Sequence, residues 1–315
     1  ATGFTYRTTT GLMNCSANAT LISNGMIINS QFSFGQSGTN TYTLAGGQNW
    51  ICTGQMGNGS TAIINSTTTE QVEARGNFSH TNISGTAQLL MSGTGTWNGT
   101  GTLSLVTNIN TSGVITLSGT IGFGGASLTT TAGTINAGTS TFEWNSTTAL
   151  TLNTPLITFY NFFLNPTPST TVTLTLNSAL NVSNQMYATN NYAGGTLIFA
   201  GSYGFNIAQL VFNTTGVSYF QTMQLTYGNT YTISNLFQVG SCNSFGRMTV
   251  KSTSSGHKVA LTLSGGSSNL GYVNFTDVDA SGGLPIYTFN GVLSNTSLIT
   301  SYTSPINGVY IGGRP

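Results

Sequence analysis

Charge is nearly missing from this 315-residue chain: six Lys or Arg and five Asp or Glu make up 3% of it, against about a quarter of an ordinary soluble domain. A formal net charge of +1 supplies no basic stripe to displace counterions from a phosphate backbone, which excludes nucleic acid as a partner. Five carboxylates also leave little material for acid/base chemistry, which usually needs positioned pairs. Cysteine is scarce: Cys15, Cys52 and Cys242 are an odd number at wide spacing, with no CxxC and no nearby His pair, so no zinc-ligand spacing exists. A Cys15–Cys52 bridge in an extracellular protein and three buried thiols both fit this pattern, and the sequence leaves the choice open. No apolar run approaches the roughly 18 residues of a membrane span, so none is expected. The first residues, Ala1-Thr2-Gly3-Phe4, and the last, Gly312-Gly313-Arg314-Pro315, point to a processed chain or a portion of a longer one.

Hydroxyls, amides and glycine fill the space that charge leaves: 56 Thr, 35 Ser, 33 Asn and 41 Gly. Disorder is not the reading, because 38% of the chain is hydrophobic, including 17 Phe and 13 Tyr, and disorder goes with low hydrophobicity and high net charge. From residue 86 to 145, Leu, Ile, Val and Phe alternate with Thr and Ser in short runs, and Gly-Thr, Asn-Gly and Ser-Gly pairs separate the runs. That is the period-2 grammar of half-buried strands between turns. It continues through ALTLN (149–153), LITFYNFFLN (156–165), TVTLTLNSALNV (171–182) and GTLIFAG (195–201), with Pro155, Pro166 and Pro168 at run ends, where a missing N–H does no harm.

Such units cannot close a core singly, so each coil must lay its apolar residues on the next. The chain is therefore expected to be all-β, a parallel β-helix or solenoid with rungs of roughly 20 to 25 residues, in which stacked Asn and Thr pair with their own kind one rung away. A β-sandwich or a set of Ig-like modules would use the same short strands and is the alternative. A mild compositional shift divides the chain into an N-terminal β-rich region, 1–85, for attachment or capping, and a solenoid, 86–315.

Three segments carry a resemblance: NGTGTLSLVTNINTSGVITLSGTIGFGGASLTTTAGTI (98–135), TFYNFFLNPTPSTTVTLTLNSALNVSNQM (158–186) and LGYVNFTDVDASGG (270–283). They resemble the right-handed parallel β-helix repeats of phage virion appendage proteins, such as tail and capsid fibres, and of bacterial surface adhesins. The resemblance covers about residues 86 to 300 and is one of architecture. It implies a fibre or shell component exposed on a virion surface, or extracellular on a cell surface, and it transfers no catalytic residue.

Few constellations could carry chemistry. Asp277 and Asp279, two apart on a strand, would point to one face about 7 Å apart, within reach of the carboxyl pair of a polysaccharide-cleaving enzyme. The competing reading makes Asp279-Ala280-Ser281-Gly282-Gly283 a turn in which both carboxylates bind backbone N–H groups. A calcium site at this pair lacks further acidic ligands. Glu70, Glu73, Arg75 and His80 form the one local charge cluster, expected to be a solvated patch on a coil edge, where charge discourages strand pairing. Residues 71–75 could be one helical turn, an edge strand or a loop. Arg247, Lys251, His257 and Lys258 form a basic cluster placed to pair with Asp277 and Asp279 one or two rungs on, or to meet an anionic glycan. Thirteen Asn-x-Ser/Thr sequons barely exceed the roughly 9 to 10 that composition alone supplies.

No catalytic, cofactor-binding or metal-ligating residue is assigned. The expectation is a non-enzymatic structural or adhesive protein that self-associates as a homo-oligomer, or assembles with other virion or surface proteins, and engages host glycans. A secreted adhesin or filament subunit and a polysaccharide depolymerase are the alternatives.

Overall fold

Strand Thr171–Leu176 shows how the alternation becomes structure. Its inward residues Val172, Leu174 and Leu176 are buried, while Thr171, Thr173 and Thr175 face outward. It pairs in parallel with Leu150–Asn153 on one side and Thr196–Gly201 on the other, Leu150 opposite Leu174 and Leu174 opposite Phe199. Inward residues therefore stack on inward residues, and burial of each Leu or Phe is worth about 1.5–3 kcal/mol. In the computed structural model, which describes residues 12–15, 18–22, 27–28, 31–35, 38–145, 149–165, 171–189, 195–213, 222–239 and 247–303, this arrangement repeats along the chain as an all-β parallel solenoid. A sandwich of antiparallel sheets is ruled out, because strands pair in parallel from Leu12–Cys15 with Gln31–Phe34 to Ile286–Phe289 with Ile299–Tyr302.

One ladder can be followed through Ile28, Cys52, Ala74, Met91 and Ile109. The rungs are less uniform than expected: Gln71 and Gln88 face each other across 17 residues, whereas Ser264 reaches Ile233 across 31. Among the described residues the pairing from rung to rung continues through this difference in length. Long strands bend around a corner, marked by register shifts at Phe159/Asn161, Val182/Gln185 and Ile207/Gln209. Irregular residues there stack on irregular residues, as the apolar ones do.

The compositional shift near residue 85 marks no break in pairing. Ile83 sits between Ala62 and Leu103, and Gln88 between Gln71 and Val106. Gly85, at φ 129°, lets the chain pass so close to the previous rung that a Cβ would lie 2.0 Å from the Ile64 carbonyl oxygen, a conformation and an approach open to glycine alone. Strand Gln71–Ala74 is interior, flanked by Trp50–Cys52 and Gln88–Met91, and is neither helix nor edge. Cys52 is buried, and burial pushes its thiol up. The side chain of Cys15 and all of Cys242 lie outside the described residues. Among the described residues no helix is long and apolar enough to cross a membrane.

Candidate functional surfaces

Asp277 stands where strand Val273–Asp279 changes partners, from Met248–Ser252 to Val259–Leu263. Its φ of 55° is left-handed, a region in which Asp and Asn are enriched among non-glycine residues. That one residue resets the alternation: Asp277 and Val278 are both buried, and Asp279 is half-buried. The two carboxylates do not converge. Asp277 Oδ2 accepts from the Gly256 amide at 2.9 Å, and Oδ1 from Asn295 Nδ2 at 2.7 Å. Asp279 Oδ1 accepts from the Ser281 amide at 2.9 Å. Asp279 binds its own turn, and Asp277 binds donors of the two neighbouring rungs and not of that turn.

Gly256 (φ 77°), Asp277 and Asn295 (φ 49°) form a left-handed corner in successive rungs, closed by a weak bond from Asn295 Nδ2 to the Gly256 carbonyl at 3.4 Å. The Asn295 amide, then the Gly256 amide, holds the Asp277 carboxyl below the ordinary range. Hydrogen bonds from Ser281 do the same for Asp279. Asn295 is the partner that sequence reasoning missed. Its only signal was an Asn one rung from an Asp, which becomes visible once the 18-residue offset is known.

The second charge cluster overturns the expectation of a solvated patch. Glu70, Glu73 and His80 are 2%, 5% and 1% exposed. The Glu70 carboxylate accepts from the Gly47 and Thr68 amides, each at 2.9 Å, and from the hydroxyls of Ser66, Thr67 and Thr68 at 2.6–3.2 Å. The Ser66 hydroxyl and then those amides hold it far below the ordinary carboxylate range, because a carboxylate bonded by several donors resists protonation. Burial pushes the Glu73 carboxyl up, and Arg75 Nε at 2.6 Å, the Ser92 hydroxyl at 2.7 Å and the Asn49 amide at 3.3 Å outweigh it and leave it lowered. His80 stacks on Phe78 at 5.8 Å and lies over Gly99, where a Cβ would meet its Nε2. Its Nδ1 is 3.1 Å from the Thr81 carbonyl, so Nδ1 carries the proton. Burial lowers its affinity for a second one. His80 makes no hydrogen bond to either glutamate, and the three groups do not assemble an acid/base site.

The basic cluster is spread out. Lys258 Nζ donates to Ser297 Oγ at 2.7 Å and lends positive potential to both aspartates. Arg247 lies over the Tyr272 ring at 6.0 Å, and His257 against Tyr227 at 5.1 Å. Lys251 pairs in the ladder with Gln224 and Thr276. Among the described residues the one ion pair is Arg75–Glu73, and no group of three or more His, Cys, Asp or Glu converges as a metal cluster would.

Neutral side chains do the joining elsewhere. Asn184 donates to Asn161 at 2.8 Å, Asn206 to Asn181 at 3.0 Å, and Gln71 to Gln88 at 2.9 Å, each across one rung. A hollow of about 210 Å³ opens on the outer face beside Gly57, lined by Gln31, Ser33, Gln55 and Ser79 among others. Comparison of the chain with protein-family models, with curated proteins and with solved structures found no match.

Proposed function

We propose that this chain is a non-enzymatic structural and adhesive component of a surface-exposed fibre, a virion appendage or its counterpart on a cell envelope. One observation carries the reading: the carboxylates of both acidic clusters hold the chain's own donors across rungs or within turns, and the outer columns are hydroxyls and amides such as Thr171, Thr196, Thr222 and Thr249. A parallel ladder is stiff along its axis, because backbone bonds run from rung to rung. A neutral hydroxyl surface packs against identical chains or a glycan without ionic terms that salt would screen.

Electron microscopy of the parent particle tests the reading, together with electrophoresis of unheated samples in SDS. A rod-like, SDS-resistant oligomer on virions or envelope fractions is expected. A chain that stays monomeric in mild buffer and is absent from both fractions would sink it. Virions and envelopes, separated before imaging, distinguish an appendage from an adhesin or filament.

A further inference from the structure

At the C-terminal end of the described solenoid, two tyrosines face outward. Strands Ile286–Phe289 and Ile299–Tyr302 pair in parallel, Tyr287 opposite Thr300 and Phe289 opposite Tyr302. Tyr287 is 38% exposed and Tyr302 48%, whereas Phe142, Phe162, Phe199 and Phe205 are buried in the core. The two tyrosine rings lie 5.7 Å apart at 31°, and Tyr302 lies 6.1 Å from Phe289 at 41°. The three strands of this face read SSNLG, IYTF and ITSY and contain no charged residue. Polar groups border the rings: Thr300, opposite Tyr287, is exposed, and Ser268 Oγ accepts from the Tyr287 amide at 2.9 Å.

Aromatic surface beside hydroxyls suits a ligand that is itself two-sided, apolar on one face and hydroxylated at the rim. A pyranose ring has that shape: its C–H face stacks on an aromatic ring, and its hydroxyls find polar partners at the edge. The three strands themselves carry no cation to compensate the desolvation of a uronate or a sulfate. A second copy of the chain is the poorer occupant, because two half-exposed rings fall far short of the roughly 800 Å² per partner of a stable interface.

We propose that Tyr287 and Tyr302 form a binding surface for a neutral polysaccharide, stacking on its hexopyranose units; the inference rests on the adhesive reading above and supplies its ligand class. Native gel electrophoresis of the full chain through gels containing galactomannan, dextran, mixed-linkage β-glucan or alginate tests it. The wild type is expected to be retarded in at least one neutral gel and not in alginate. Tyr287→Ala and Tyr302→Ala should each weaken retardation about tenfold, the scale of one lost stacking partner. Tyr287→Phe and Tyr302→Phe keep the ring and should keep binding, and Tyr203→Ala, which removes an exposed ring elsewhere, should leave it unchanged. Circular-dichroism melting confirms that the variants fold.

Free migration of the wild type in every neutral gel overturns the proposal, as does equal retardation in alginate or undiminished binding by the alanine variants. SDS-resistant assembly is scored on the same samples. Assembly without retardation overturns the glycan surface alone, and retardation of a monomeric chain supports the surface while removing the fibre. Loss of assembly in Tyr302→Ala with no wild-type retardation assigns the face to a second copy and overturns the proposal.

Discussion

The two acidic clusters, Glu70 with Glu73 and Asp277 with Asp279, start from similar sequence and end in different environments. Glu70 is enclosed by two backbone amides and three hydroxyls from its own turn and from Gly47 on the previous rung. Asp277 sits in a left-handed corner with two donors, one from each neighbouring rung, and with His257 and Lys258 contributing positive potential. A chain with five acidic residues has placed all of them so that their oxygens tie donors down within turns and from rung to rung, Glu143 by accepting from Asn165 Nδ2 at 2.6 Å. Scarce charge here is structural, since a buried carboxylate persists only where its lone pairs are filled.

Acidification should have the largest effect and should separate the clusters. Glu70, Glu73, Asp277 and Asp279 all bind protons more weakly in the folded state than ordinary carboxylates do, so their stabilisation is present above about pH 4 and is lost as pH falls below it. His80 is also lowered. The unfolded chain takes up that proton first, so stability begins to fall below about pH 6.5. The expected melting profile is flat from pH 8 to 7, declines gently towards pH 5 and steeply below 4. His80→Phe should abolish the upper step alone. A profile flat to pH 3 would contradict the assignment of these groups.

Glu70→Ala comes next. It leaves the Gly47 and Thr68 amides and three hydroxyls without their acceptor, and it should lower Tm by about 5 °C or more. Asp277→Ala removes two bonds and puts alanine at a positive φ, for about 2–5 °C. The contrast is reversed if differential scanning calorimetry finds Asp277→Ala the more damaging. Asp277→Asn and Asp277→Gly divide the corner's contribution: Asn keeps both an acceptor and a tolerance of the left-handed region, and Gly keeps the backbone alone. Melting should therefore rank Asn above Gly and Gly above Ala.

These environments were only partly legible in the sequence, for reasons that particular residues make plain. TVTLTL at 171–176 became a strand with Thr outside and Val or Leu inside, because period 2 is a local property of an extended chain. The stacking of Asn on Asn was legible too, and Asn184 with Asn161 shows it. The burial of Glu70 was not, since Gly47 meets it only through a 23-residue offset that no local pattern contains. Asp277 defeated the same-face expectation for a different reason: a single positive φ shifts every following side chain to the opposite face, as a one-residue register slip would. The shift in composition near residue 85 was real but marked no boundary in the ladder.

Asp279→Asn should have the smallest effect, and for that reason it is the most informative about chemistry. The Asn side-chain oxygen can still accept the Ser281 amide hydrogen, so Tm should move by no more than about 1 °C, while the carboxylate itself is gone. Removing a catalytic carboxylate would instead cost orders of magnitude in rate with the fold intact. The variant and the wild type are therefore compared for release of reducing ends from a panel of host polysaccharides, with the melting curve as control. Equal, background-level release from both is expected of a carboxylate that serves its own turn. Cleavage by the wild type that vanishes in Asp279→Asn at unchanged Tm would turn the corner into an active site, and the contrast between the two clusters would become one between scaffold and catalyst.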